Sequence, residues 1–105
     1  MTKTLVVSLV LTKTHTNLHV HDISTHESIT IRDVGTIPSF QQLVNYVRKN
    51  GEMDKSETMY STFKGKLRSW PFTRYRVFIS NSQLLELLPS PHVGEVKKIA
   101  DLCRE

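Results

Sequence analysis

The sequence predicts an α+β domain with the element order βββααβαα: an antiparallel β-meander, one further strand and about four helices. Three observations predict it. Residues 4–32 alternate apolar and polar positions with the period of strands, residues 39–50 and 93–104 repeat apolar positions with the period of helices, and the strand-like "TRYRVFIS" stands between helical stretches. At 105 residues the chain makes one domain, 1–105, because autonomous cores take about 50–200 residues.

"TLVVSLVL" (Thr4 to Leu11) is apolar on both alternating faces, which predicts a central strand covered on both sides. After the turn "KTHT", Asn17 to Ile23 sets Leu18 and Val20 against His19 and His21. Glu27 to Arg32 then sets Ile29 and Ile31 inward, and these three strands form the meander. A helix follows with Phe40, Leu43, Val44 and Val47 as its buried stripe; Ser39 and Gln42 have capping-box spacing, and Asn50-Gly51 supplies a left-handed stop.

A second helix is expected from about Ser56 to Arg68, with Met59, Tyr60, Phe63 and Leu67 as its stripe, Asp54 as its cap and Pro71 as its end; Gly65 weakens it by roughly 1 kcal/mol. In "TRYRVFIS", Tyr75, Val77 and Ile79 alternate against Arg74, Arg76 and Phe78, a strand. A short helix opens at Ser80 or Asn81 and ends by Pro89. The last helix, Val93 to Arg104, buries Val96, Ile99, Ala100 and Cys103. His92 stands at its start.

The net charge of +4 is unevenly placed. From Thr58 to Leu85 there are five cations, Lys64, Lys66, Arg68, Arg74 and Arg76, and no carboxylate. Such a segment makes a local positive field that a polyanion senses. The same stretch interleaves Trp70 and Phe72 with its cations, and Phe78 follows them. Single-strand binders combine phosphate-seeking Lys and Arg with aromatic platforms for bases. Lys64, Lys66, Arg68, Trp70, Phe72, Arg74 and Arg76 are therefore the candidate nucleic-acid-binding residues.

The start "TLVVSLVL" is too short for a membrane span and has no small-residue cleavage pattern, so neither a signal peptide nor a membrane partner is expected. The single Cys103 cannot form an internal disulfide, which points to a reducing, cytoplasmic setting. The outer strand of the meander has a free edge that could pair with a second copy.

"HTNLHVHD" (His15 to Asp22) is the densest cluster of potential ligands. His19 and His21 lie two apart on a strand, share a face and could approach one divalent cation, with His15 and His26 in flanking turns. The plainer reading is a polar strand face lined by Asn17, His19 and His21, and no metal or other cofactor is required.

The His19-Val20-His21 stretch, together with Tyr46 and Lys49 in "NYVRKNGE", resembles the His-hydrophobic-His and Tyr-x-x-Lys motifs of rolling-circle replication initiators and related single-strand endonucleases. The resemblance implies a divalent metal on His19 and His21, Tyr46 as the nucleophile and Lys49 as its charge-balancing neighbour. The Tyr46 helix should pack against Leu18, Val20, Ile29 and Ile31, however, which leaves the histidines on the opposite face. The strand order is also similar to a ribonuclease H-like arrangement. The places where that family carries carboxylates are here Ser8, Gln41 or Gln42, and Asn81, so the resemblance implies an architecture without metal-dependent hydrolysis.

The leading expectation is thus a non-enzymatic protein binding nucleic acid or nucleoprotein, in the manner of a viral or plasmid accessory factor. Its rivals are a metal-dependent single-strand DNA endonuclease using Tyr46, and a protein-interaction module that meets a partner protein through its exposed aromatics and arginines.

Overall fold

The alternation in residues 4–32 becomes three strands, β1 (Thr4–Leu11), β2 (Thr16–Asp22) and β3 (Ser28–Ile31), in the computed structural model. The structure describes residues 3–63, 66–89 and 94–104, with side chains described outside 55–71. Helix α1 (Gln41–Asn50) comes next, then strands β4 (Glu52–Phe63) and β5 (Lys66–Ser80), and helices α2 (Asn81–Glu86) and α3 (Gly94–Cys103). The strands form one antiparallel sheet in the order β3-β2-β1-β5-β4, which makes the fold α+β with three α-helices among the described residues.

One expected helix is a strand. Residues from Ser56 to Phe63 continue β4, and Lys66 to Arg68 begin β5, with Phe63 opposite Lys66. Gly65 lies outside the described residues, and neither Asp54 nor Pro71 bounds a helix. Pro71 has no amide hydrogen, and it sits where a ladder can spare one. The β4 register shifts between Ser56 and Met59, directly across from it, and on its other side β1 reaches only as far as Thr73.

The two faces of β1 differ. Leu5, Val7 and Leu9 have no exposed surface and join Leu18, Val20, Ile31 and Ile79 in the core, together with Phe40, Leu43 and Val47 of the α1 region and Val96 and Ile99 of α3. Val6, Ser8 and Val10 are only half-buried. The expectation of a strand covered on both sides is corrected: the core residues of all three helices lie in the one cluster that covers the odd-numbered face of β1.

Two helix ends also differ from expectation. Ser39 lies in a 3-10 turn, Pro38–Phe40, that runs directly into α1, so no side-chain oxygen caps that helix. Gly51 follows α1 in extended backbone, not left-handed. Glycine is needed there because a Cβ would come within 2.6 Å of the Val47 carbonyl oxygen and 3.1 Å of that of Arg76. At α2, by contrast, Ser80 caps as its position suggests, its hydroxyl accepting from the Gln83 amide at 3.3 Å.

Candidate nucleic-acid interface

The uncovered face of the sheet is set by register. Ser8 of β1 lies between His19 of β2 and Arg76 of β5; Val6 lies between His21 and Phe78, and Val10 between Asn17 and Arg74. The predicted polar strand face and the predicted basic strand face are thus two parts of one surface, with β1 between them. Phe78 is 64% exposed on it, the largest exposure of any large apolar residue among those described.

Of the candidate contact residues, Arg74, Arg76 and the half-buried Phe72 are described in full. Lys66, Arg68 and Trp70 occupy alternate positions of β5 in phase with them, though their side chains lie outside the described residues, as does Lys64 altogether. Trp70 falls within β5 opposite Met59. The strand beyond Thr73 has no β1 partner, so residues 66–72 pair only with β4, as a two-stranded ribbon continuing past the sheet.

The charge along that alternation is not uniform. At the base, an Arg74 guanidinium nitrogen donates to Asp54 Oδ2 at 3.0 Å, and Arg76 faces Glu52 across the ladder. These four residues and Met53 line a shallow pocket of about 250 Å³. Farther out, the register partners of Phe72, Trp70, Arg68 and Lys66 are Ser56, Met59, Ser61 and Phe63, none of them acidic. The positive surplus therefore belongs to the outer positions, while the base is balanced by two carboxylates that sequence reading did not pair with it.

The histidines are held separately. His19 Nδ1 lies 2.8 Å from the Thr30 hydroxyl, the His21 and His26 rings are 6.1 Å apart at a tilt of 47°, and His15 Nδ1 lies 2.9 Å from Asp33 Oδ1. Among the described residues no three of His, Cys, Asp and Glu gather as a metal site. Tyr46 packs against the core on the helix-covered side, its hydroxyl accepting from Gln83 Nε2 at 3.0 Å. Lys49 is exposed near the end of α1. The sheet lies between Tyr46 and His19 with His21, so the endonuclease constellation is not brought together. Ser8, Gln41, Gln42 and Asn81 do not converge either: Ser8 is on the uncovered face, whereas α1 is on the other.

Asn81 instead belongs to a polar latch on the covered side, at the end of the sheet. Its amide nitrogen Nδ2 donates to the Cys103 carbonyl at 3.0 Å, and Lys3 Nζ donates to the Arg104 carbonyl at 2.7 Å while standing 3.1 Å from Asp22 Oδ2. Asp22 is 1% exposed, and its Oδ1 accepts from the Ser24 hydroxyl at 2.7 Å and amide at 2.9 Å. The Ser24 hydroxyl, and after it Lys3, hold the carboxyl well below the usual carboxylate range despite burial. Burial pushes the Cys103 thiol up to about 11, so it sits in the core as a neutral group. The sequence signal for the latch is a carboxylate in phase with the buried Leu18 and Val20. His92 lies outside the described residues.

No helix among the described residues is long and apolar enough to cross a membrane. No protein-family model, curated protein sequence or solved structure matches the chain.

Proposed function

We propose that the protein binds nucleic acid, free or as nucleoprotein, without catalysing a reaction on it, through one side of strand β5. The observation that supports this is the phase of that strand. Lys66, Arg68, Trp70, Phe72, Arg74 and Arg76 follow one another at alternate positions of a single uninterrupted strand, Lys66–Ser80. Residues two apart on a strand are roughly 7 Å apart, the order of separation of successive phosphates on an extended chain. The cations supply non-specific attraction, and the aromatic positions between them suit bases, whose flat faces stack regardless of sequence.

The remaining charges of β4 beyond its base, Lys55 and Glu57, cancel one another, so the surplus among the described outer positions is that of Lys66 and Arg68. A buried, unpaired Cys103 fits a reducing intracellular setting. The reading is tested by the salt dependence of binding. Replacing Lys66 and Arg68 together by Ala should lower the log–log salt slope by about 1 to 2, because each phosphate contact on a single strand contributes about 0.7. A slope unchanged in that variant, or binding insensitive to salt, overturns the assignment.

A further inference from the structure

At its base, the stripe along β5 meets carboxylates. Glu52 stands directly across from Arg76, and Asp54 across from Arg74, so the four side chains rise on one face. With Met53 they line a pocket of about 250 Å³. Pockets for drug-sized ligands run to about 300–1,000 Å³, so this one suits a single flat ring system. Asp54 already holds Arg74 at 3.0 Å. Glu52 and Arg76 are both exposed, and neither makes an ion pair among the described residues.

The chemistry of that open pair selects its ligand. A carboxylate only accepts hydrogen bonds and a guanidinium only donates them, and each engages best through two parallel bonds. A ligand that satisfies both presents two adjacent donors beside two adjacent acceptors. A phosphate offers acceptors alone and would stand against Glu52 and Asp54. Adenine and cytosine carry one amine between ring acceptors, and thymine and uracil one ring N–H between carbonyls. Guanine has N1–H and the N2 amine side by side, with O6 and N7 on the adjoining edge. In a duplex the N1 and N2 edge is taken by cytosine, so the base must be unpaired.

We infer that this pocket holds one unpaired guanine of a bound strand. Its N1–H and N2 amine donate to the Glu52 carboxylate, and its O6 and N7 accept from the Arg76 guanidinium. This rests on the proposed function and adds a base preference at one point of a stripe that is elsewhere indifferent to sequence. The two carboxylates that offset the arginines are thereby part of the recognition. Phe72 and Phe78 occupy the alternate positions of β5 just beyond Arg74 and Arg76, where neighbouring bases can stack.

The test uses the full chain and a short oligothymidylate whose central base is thymine, guanine, hypoxanthine or adenine, followed by fluorescence anisotropy at low salt. The guanine probe should bind about tenfold tighter than the all-thymine probe, the lower end of what one bidentate base contact discriminates. Hypoxanthine lacks the N2 amine and should fall between the two, and adenine should match thymine. In Glu52→Gln, whose fold circular dichroism checks, the guanine-to-thymine affinity ratio should drop to about one, while the all-thymine probe gains slightly from the lost negative charge.

A ratio undiminished in that variant, or hypoxanthine bound as tightly as guanine, overturns the assignment to Glu52. Guanine bound no tighter than adenine and thymine, while all of them bind with salt dependence, overturns the pocket and leaves the ribbon contact standing. Guanosine monophosphate separates the sources of the base: it should displace the guanine probe only at concentrations far above those of the competing strand. Displacement at equal concentration overturns the strand as the source and identifies a free nucleotide. If no strand binds, the proposed function falls and the pocket falls with it.

Discussion

The two faces of this sheet are built from the same strands and carry opposite chemistry. On β1, Leu5, Val7 and Leu9 have no exposed surface, whereas Val6, Ser8 and Val10, one residue out of phase, remain half-buried. On β2 the same shift separates Leu18, Val20 and Asp22 from Asn17, His19 and His21, and on β5 it separates Ile79 from Phe78. One face carries the core and the other keeps its side chains partly exposed. A pattern of two in the sequence thus divides a packed face from a partly exposed one without dividing the chain.

The comparison is broken most severely by truncating equivalent leucine and valine positions on the two faces. Leu9→Ala should cost about 2–5 kcal/mol, because a side chain with no exposed surface leaves a cavity in the core. Val10→Ala, next in sequence but on the uncovered face, should cost about 1 kcal/mol or less, since it loses two half-buried carbons. Urea unfolding of both variants measures the difference. Equal costs would mean that the uncovered face is covered in solution, by another copy or by the ribbon.

The sequence made this division legible wherever side chains alternate strictly or repeat at helical spacing. β2, β3, the inward Ile79 of β5, the α1 stripe and the α3 stripe all read correctly for that reason. The histidine face was legible too, including its separation from Tyr46, because phase alone decides which face a residue joins. β1 misled because apolar residues on both faces look like double coverage, although valines tolerate a half-exposed floor.

The segment from Ser56 to Arg68 misled more deeply. Met59, Tyr60, Phe63 and Leu67 fall close to helical spacing, and Asp54 with Glu57 imitates a cap. Yet the segment is rich in Thr, Tyr and Phe, and its Lys64-Gly65 pair stands between two such runs, a hairpin pattern. The decisive influence was tertiary: β5 offers β4 a partner along its length, and no periodicity within residues 56–68 records that partner. The Arg74–Asp54 pair was hidden in the same way, since it exists only once the hairpin register is known.

Asp22 is the exception to an apolar covered face, and acid tests its role. Its carboxyl is held below the usual range in the folded state. Its contribution to stability is therefore complete above the unfolded value of about 3.9, and it is lost as pH falls through the lower folded value. Asp22→Asn should unfold earlier than the parent at pH 7, and the gap should close progressively below about pH 4. Thermal midpoints measured from pH 7 to pH 2 check this. A gap that stays constant with pH would show that the Asp22→Asn variant fails through packing and not through loss of the Lys3 pair.

The smallest effect on stability is the most informative about the proposed contact stripe of β5. Arg74 and Asp54 form a pair whose side chains are 37% and 60% exposed, so breaking it should cost only about 0.2–1 kcal/mol. For a polyanion the same carboxylate is a competitor, occupying a guanidinium that a phosphate would otherwise take. Asp54→Asn should therefore strengthen oligonucleotide binding by a few-fold and steepen the salt slope by about 0.7 for the one phosphate gained. Anisotropy titrations at several salt concentrations separate the two quantities. Unchanged affinity would end the contact stripe at Phe72, confining binding to the outer ribbon. Weakened affinity would mean that Asp54 holds Arg74 in its binding orientation, and the balanced base of the hairpin would then be part of the site and not a brake upon it.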